Sequence, residues 1–418
     1  MNIAVGSLPD RVAATPSLAR WGRDLTAEVL LAVGEREWLL SIRDGQVARV
    51  QAGPFVMPRY AFALRLDPEG LARFLAPVPE PGWQDLLALR RHGALRVEGD
   101  TLPFFQHLMW FKGVLGLLRE GGAPPPPAPT AAPWGSVTAE PITGRYWRID
   151  IEGRPHRVYV EEAGEGIPLL LLHTAGSDGR QWRDLLNDAE VTRRFHCIAF
   201  DMPWHGKSSP PAGWQEEGYR LTTAGYTGLV LRMADALGLE RPIVMGCSIG
   251  GRIVLDLAAE HPGRWRGVIG LQGSAFTGRY YDLSVLHHPH IHGGEVCGAI
   301  VSGLVAPTAP EAARWETLWH YMQGGPGVFR GDLHFYSEEG DLRPKLARID
   351  TRRCPVVLLN GDYDYSARPE DARATAAAIP GAEAVIMPGL GHFPMSEDYA
   401  ALRPHLLPVL EAMAARPG

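Results

Sequence analysis

The stretch Pro242-Ile-Val-Met-Gly-Cys-Ser-Ile-Gly-Gly-Arg-Ile-Val-Leu255 decides the fold. A short apolar run reads as a strand ending at Gly246, Ser248 follows two residues later, and an apolar pattern of helical period begins after Gly250 and Gly251. Gly246-Cys247-Ser248-Ile249-Gly250 is therefore G-x-S-x-G at a strand-to-helix turn, a nucleophile elbow. Glycines leave room for a strained backbone at the serine. The turn lifts the Ser248 hydroxyl out of the sheet and points the Ile249 N–H and the helix N-terminus at the same place. Five residues thus supply a nucleophile and half of an oxyanion site. Cys247 precedes the elbow position, so its side chain is expected to pack into the fold. Small-residue turns are common between strands and helices, so the reading needs partners elsewhere in the chain.

Outward from the elbow, strands alternate with helices. Tyr146–Ile151 and His156–Glu161 flank the turn Glu152-Gly-Arg-Pro155, and Pro168–His173 is a continuous apolar run, as in a strand covered on both faces. Phe195–Asp201, Pro242–Met245, Trp265–Leu271, Cys354–Asn360 and Ala382–Met387 read as further strands, with helices at Thr222–Leu237, Gly251–Ala259, Pro369–Ala378 and the C-terminus. This predicts an α/β class: a mostly parallel sheet, helices on both faces, and a site at the carboxyl ends of the strands. A serine needs a base, and the base an orienting carboxylate. Both stand in loops after later strands, in Asn360-Gly-Asp-Tyr-Asp364 and Gly389-Leu-Gly-His-Phe-Pro394. The chain order is Ser248, then Asp364 or Asp362, then His392.

Order and motifs together resemble the α/β-hydrolase superfamily over about residues 142–418. The motifs are His173-Thr-Ala-Gly176, Asp201-Met-Pro-Trp-His-Gly-Lys-Ser208, Gly246–Gly250, and the pair Gly361-Asp-Tyr-Asp364 and Gly391-His392. The resemblance implies an α/β-hydrolase fold with a helical cap. It gives Ser248, Asp364 and His392 as a catalytic triad with Asp362 as fallback, and Ala175 and Ile249 as oxyanion N–H donors. Thr174 stands where the family has glycine, which adds a hydroxyl beside the oxyanion. Pro203 and Trp204 stand where small residues are usual, which implies a stiffer, more enclosing loop. The break between Leu271 and Lys345 is where the family inserts its cap, about 275–345 here. It carries Tyr280, Tyr281, Trp315, Trp319, Tyr321, Phe329, Phe335 and Tyr336, which suit an apolar or aromatic substrate or form the cap's own core. His287, His288, His290 and His292 around Pro289 read as a solvated or packing loop. No metal or other cofactor is expected.

Residues 1–120 read as a separate small α+β domain. Trp38–Arg43, Asp44-Gly45 and Gln46–Val50 form a hairpin, and Tyr60, Phe62, Leu64 and Leu66 alternate along a strand. Helical patterns follow at Pro68–Leu75 and Trp83–Arg91, then a strand in Ala94-Leu-Arg-Val-Glu-Gly-Asp100 and an apolar helix over Phe104–Leu118. This sequence of elements resembles the sterol-carrier-protein-2 fold, which implies a tunnel for a lipid ligand. A domain used for packing or dimerisation has the same pattern. Residues 121–137, with four successive prolines, read as a semi-rigid linker, and the hydrolase domain as 138–418.

The 418 residues carry a net charge of −6, with 45 % hydrophobic and 21 % charged residues. That excludes a general nucleic-acid binder and a polybasic membrane-surface protein. No apolar stretch is long enough to span a bilayer, and the N-terminus has no secretory pattern. Cys197, Cys247, Cys297 and Cys354 form no C-x-x-C pair, so a reduced, cytoplasmic protein is expected. The predicted activity is serine hydrolysis of a small apolar carboxylic ester or thioester. The alternatives are hydrolysis of a carbon–carbon bond in a vinylogous diketone, acyl transfer, and a lipid-binding protein without catalysis. Substrate, acyl-chain length and oligomeric state are left open.

Overall fold

The elbow strand lies inside an eight-stranded sheet of order β13-β12-β11-β10-β8-β9-β7-β6. Its members are β6 (Thr143–Ile151), β7 (Arg154–Ala163), β8 (Ile167–Leu172), β9 (Phe195–Phe200), β10 (Ile243–Cys247), β11 (Gly267–Leu271), β12 (Val356–Gly361) and β13 (Glu383–Met387). From β13 to β9 all neighbours are parallel, and the β6–β7 hairpin adds two antiparallel strands at one edge. The computed structural model describes residues 3–119, 139–279 and 283–416.

The central parallel strands β8, β10 and β11 are unbroken apolar runs because helices cover both faces. Leu169, Leu170, Leu171 and Leu172 of β8 are all buried, and Leu171, Met245, Ile269 and Leu359 lie in one core cluster. Each such side chain contributes about 1.5–3 kcal/mol by leaving water. The chain runs from β8 outward to β9 on one side, and later outward from β10 on the other. Between β8 and β10 the chain reverses its direction of travel across the sheet, the place where loops after parallel strands commonly part to form a site.

The elbow helix Ile249–Glu260 starts directly from β10. A Cβ on Gly246 would lie 2.5 Å from the Gly250 carbonyl carbon, and one on Gly250 2.8 Å from the Leu172 carbonyl oxygen. Only glycine lets the helix start this close to the two strands.

Contacts divide the described residues into two compact units. One holds 139–279 and 304–416, the other 3–119 and 283–303. The second unit is built on a five-stranded sheet of order β3-β2-β1-β4-β5, from β1 (Ala27–Val33), β2 (Arg36–Arg43), β3 (Gln46–Ala52), β4 (Phe62–Leu66) and β5 (Leu95–Gly99). Asp44 and Gly45 both have positive φ (47° and 73°), as a two-residue hairpin turn requires. The central strand β1 escapes a reading by alternation because it is almost continuously buried. The apolar segment 104–118 is broken at His107 into helices Leu102–Gln106 and Leu108–Gly116. Its side chains fill the unit's own interior. The Trp110 indole donates to the Gly45 carbonyl at 2.9 Å, and the Phe111 ring meets Phe62 edge-on at 5.3 Å.

One boundary differs from the expected cap. Helix Gly293–Ser302, placed by sequence in the hydrolase cap, packs instead on Leu108–Gly116 of the N-terminal unit. Its apolar face, with Val296, Ala299 and Ile300 buried, finds its partners there. The expected linker at 121–137, and Tyr280 and Tyr281, lie outside the described residues.

Gly246→Ala should destabilise the hydrolase unit by about 1–3 kcal/mol, because the added methyl overpacks against backbone. Urea unfolding followed by far-UV circular dichroism measures the loss.

Candidate active site

Ser248 has φ 59° and ψ −110°, a conformation that non-glycine residues rarely adopt. Two backbone bonds hold it there: its N–H donates to the Leu271 carbonyl at 3.0 Å, and its carbonyl accepts from Arg252 at 2.9 Å. Its side chain stands at the end of β10, where the N-terminus of the elbow helix contributes a partial positive charge.

His392 comes from the loop after β13, and Asp362 and Asp364 from the loop after β12. The Asp364 Oδ2 is 2.6 Å from His392 Nδ1, and its Oδ1 accepts from the N–H groups of Ser366 at 2.7 Å and Ala367 at 3.1 Å. Asp362 turns away, accepting from the Gly389 N–H at 2.9 Å. Of the two acids, Asp364 is the one paired with the imidazole. The elbow reaches the same loop, since the Cys247 thiol donates to the His392 carbonyl at 3.2 Å. Burial, with the nearby Asp364 and Glu397 charges, holds that thiol far above its ordinary pKa, so it is a packing group and not a nucleophile.

Ala175 follows β8. Its neighbours' amides are committed: Thr174 N–H donates to Gln181 Oε1 at 3.1 Å, and Gly176 N–H to Asp332 Oδ2 at 2.7 Å. Among the described residues no acceptor is bonded to the Ala175 or Ile249 N–H. The Thr174 hydroxyl, expected from sequence as an extra oxyanion donor, is engaged elsewhere. It donates to Gln181 Oε1 at 2.9 Å and is hydrogen-bonded to the Tyr321 hydroxyl.

A sequence model described as alpha/beta hydrolase fold matches residues 167–293. A putative non-heme haloperoxidase of Mycobacterium phage D29 is 31 % identical over 246 residues, which is 54 % of this chain and 84 % of that protein. The chain belongs to the alpha/beta hydrolase fold family. The enol-lactonase from Burkholderia xenovorans LB400 superposes with a TM-score of 0.55 at 22 % identity, over 64 % of this chain and all of its own. A thermophilic esterase from Thermogutta terrifontis gives 0.54 at 20 %, over 65 % of this chain and all of its own.

Several residues that sequence reasoning missed hold this candidate site in place. Gln272, fully buried after β11, donates to the Gly391 carbonyl at 2.5 Å and accepts from Gly361 N–H at 3.0 Å. It thereby ties the aspartate loop to the histidine loop. Glu397 accepts from the N–H groups on either side of His392, those of Gly391 and Phe393. Burial pushes its carboxyl up to about 8, although three backbone amides favour the charged form. Arg252 is wholly buried, and that burial brings its guanidinium down to about 10. It donates to Ser274 O at 2.9 Å and Thr277 Oγ1 at 2.7 Å, and lies 4.2 Å from the Tyr336 ring.

The loop 201–208 carries a second pair. Trp204 has φ 77° and packs on Trp214 and Tyr219, which encloses the loop as the unusual Pro-Trp pair suggested. His205 faces acceptors at both ring nitrogens, Pro203 O and Asp332 Oδ2, each at 2.9 Å. Burial opposes its charge, but Asp332 and the Pro203 carbonyl outweigh that and raise its pKa. His173 beside it is the opposite case. Burial first, then the His205 charge, brings it down to about 4, and its neutral ring accepts from Met202 N–H at 3.1 Å.

The cap aromatics divide into three groups. Phe335 and Tyr336 pack inward, Phe335 against Tyr226. Tyr321 contacts both Phe329 (5.7 Å) and Phe393 (5.3 Å), and Phe393 stands edge-on to His392 at 5.0 Å. Trp315 and Trp319 are exposed. His287 to His292 belong to the N-terminal unit, where His292 Nδ1 accepts from the Glu295 N–H at the start of helix Gly293–Ser302.

His205 has a folded pKa above 6.5, so its ion pair stabilises fully below pH 6.5, and that contribution is lost as pH rises through the raised value. Asp332→Asn should cost about 3–5 kcal/mol at pH 6 by leaving one buried partner alone, and the difference from wild type should shrink toward pH 9. Thermal unfolding across that range tests the sign. All four cysteines are unpaired and buried, so Ellman's reagent should react with the native protein only at the rate of unfolding.

Proposed function

We propose that the chain is a serine hydrolase that cleaves a carboxylic ester or thioester with an apolar acyl or aryl part. The observation that carries this is the 2.6 Å pairing of His392 Nδ1 with Asp364 at the strand ends beside the strained Ser248 elbow. Asp364 fixes the proton on Nδ1, which leaves Nε2 to take the Ser248 proton as Oγ attacks the carbonyl carbon. The oxygen that becomes negative meets the Ala175 and Ile249 N–H groups, each worth about 3 kcal/mol in the transition state. His392 then gives its proton to the departing alkoxide or thiolate. Water repeats the sequence on the acyl-enzyme, with His392 again taking the proton.

The apolar preference rests on the rings beside His392. Phe393, Tyr321 and Phe329 form a continuous aromatic group reaching from the histidine loop to Gly176, where a Cβ would meet the Phe329 side chain at 2.8 Å. The serine at the elbow favours an acyl ester intermediate over the alkyl ester that an aspartate there would form. A lipid ligand in the N-terminal unit, implied by the resemblance to sterol-carrier-protein-2, is a second proposal. Saturable binding of a fluorescent fatty acid by the full chain tests it. No described helix is long and apolar enough to cross a membrane. The unpaired thiols favour a cytoplasmic location.

On p-nitrophenyl esters of increasing acyl length, wild-type turnover should peak at one length. Ser248→Ala and His392→Ala should each lower kcat by about 10⁴-fold or more, and a fluorophosphonate should label Ser248 alone. A folded wild type that hydrolyses no ester and takes no label would overturn the esterase reading, and turnover of a vinylogous diketone would replace it with carbon–carbon hydrolysis.

A further inference from the structure

We infer that Gln181 is a positioning residue for the Ala175 N–H, a role this chain needs because Thr174 stands where the family has glycine. The inference rests on the serine-hydrolase reading in taking that N–H as an oxyanion donor. Every residue in it belongs to the hydrolase unit.

Three successive peptide groups follow His173, and a side chain holds each. Gln181 Oε1 accepts the Thr174 N–H at 3.1 Å, His173 Nδ1 donates to the Thr174 carbonyl at 2.8 Å, and Asp332 Oδ2 accepts the Gly176 N–H at 2.7 Å. The His173 proton is on Nδ1 because Nε2 accepts from the Met202 N–H at 3.1 Å. The middle peptide is the one that carries the Ala175 N–H. In a planar trans peptide that N–H points opposite to the Thr174 carbonyl. Its direction is therefore set by the two backbone dihedrals of Thr174. Gln181 holds the plane before them, and His173 the plane after.

The same Gln181 oxygen also accepts the Thr174 hydroxyl at 2.9 Å. One acceptor thus fixes the backbone and the side chain of Thr174 together. A threonine hydroxyl without such a partner turns to the backbone groups on either side of it, and here one of those is the Ala175 amide. Glycine would bring no hydroxyl to restrain. Gln181 can do this because it has little freedom of its own. It lies in a single 3-10 turn, Gly179–Trp182, whose Gly179 N–H donates to Asp201 Oδ1 at 2.8 Å and whose Trp182 is fully buried in the core. Arg180, just before it, pairs with Asp178 at 2.6 Å. Thr174 and Gln181 are 0 % and 1 % exposed, so water does not stand in for a lost bond.

The test uses the full chain with Gln181→Met, Gln181→Glu and Gln181→Asn, assayed on the best p-nitrophenyl ester and for inhibition by a trifluoromethyl ketone of the same acyl length. Ser248 Oγ adds to the ketone carbon, and the ketone oxygen takes the negative charge that the oxyanion donors answer. Gln181→Met should lower kcat by about 10- to 100-fold, less than the roughly 100- to 1,000-fold of a deleted donor. KM should stay within about twofold, and the ketone should bind more weakly by a factor similar to the loss in kcat. Gln181→Glu keeps an acceptor at Oε1 and should recover part of both. Gln181→Asn draws the acceptor back by one methylene and should show a smaller change of the same kind. If Gln181→Met does not fold, a lowered kcat in Gln181→Asn that is not seen in Gln181→Glu carries the inference. Wild-type kcat and ketone affinity in the folded variants overturn it, even where stability falls, because a residue that only braces the loop moves neither readout. Turnover that survives Ser248→Ala means that the reading of the site has failed, and the inference falls with it. Turnover lost in Ser248→Ala but kept in Gln181→Met overturns the inference alone.

Discussion

Backbone meets backbone where the elbow helix starts against the end of β8, and the site depends on that approach. Gly250 lies on the Leu172 carbonyl, and Gly246 lies under Gly250, with no side chain between them. Two things follow from one contact. The residue between these glycines is forced to φ 59°, a strain on the order of 1–3 kcal/mol that must be held by the rest of the fold. The elbow helix is also made to start at Ile249, against the end of β8. The candidate nucleophile is thus placed by backbone packing, before any polar group acts.

The rest of the machinery is held by buried polar groups, each answered by a partner. Gln272 spans the loops of Asp364 and His392, and Glu397 holds the amides on both sides of His392. Arg252 has its donors on carbonyl and hydroxyl oxygens and its plane over Tyr336, whose hydroxyl lies 3.3 Å from Ser366 Oγ; the Ser366 N–H in turn holds Asp364. In a water-poor interior such bonds are stiff because the alternative is an unpaired polar group. The loops that carry the triad candidates therefore do not rely on the sheet alone for their position.

Sequence made the sheet legible because its central strands β8, β10 and β11 are apolar without interruption and its strands end in loops with distinctive residues. The elbow, the paired acids and the glycine-flanked histidine could be placed for the same reason. Gln272, Glu397, Asp332 and Arg252 could not. Gln272, Asp332 and Arg252 act through bonds to groups far away in sequence, Glu397 through bonds to amides six and four residues back, and one glutamine after a strand or one aspartate on a helix looks like any other. Gly391-His-Phe-Pro-Met-Ser-Glu397 held the best available hint, a glutamate one short helix beyond the histidine. Strand β1 was missed because Ala27-Glu-Val-Leu-Leu-Ala-Val33 has neither clear period, and helix Gly293–Ser302 was misplaced because an apolar face does not say which unit buries it.

Thr174 shows how a departure from the family pattern can change what a loop depends on. With glycine at that position the loop after β8 would keep its bond to Asp332 but lose the one to Tyr321. Here the Thr174 hydroxyl has given its proton to Gln181 Oε1, an orientation fixed by the Thr174 N–H on the same oxygen, so what it offers Tyr321 is a lone pair. One residue beyond Ala175, Gly176 donates to Asp332. Tyr321 lies on helix Glu311–Met322 and Asp332 on helix Val328–His334, both in the cap segment. The Ala175 amide is therefore bracketed by two anchors from the cap, one neutral and one charged, and the charged one is shared with His205. An amide held in this way keeps its direction only while both cap helices stay seated, so in this chain the cap helps to set where the Ala175 N–H points.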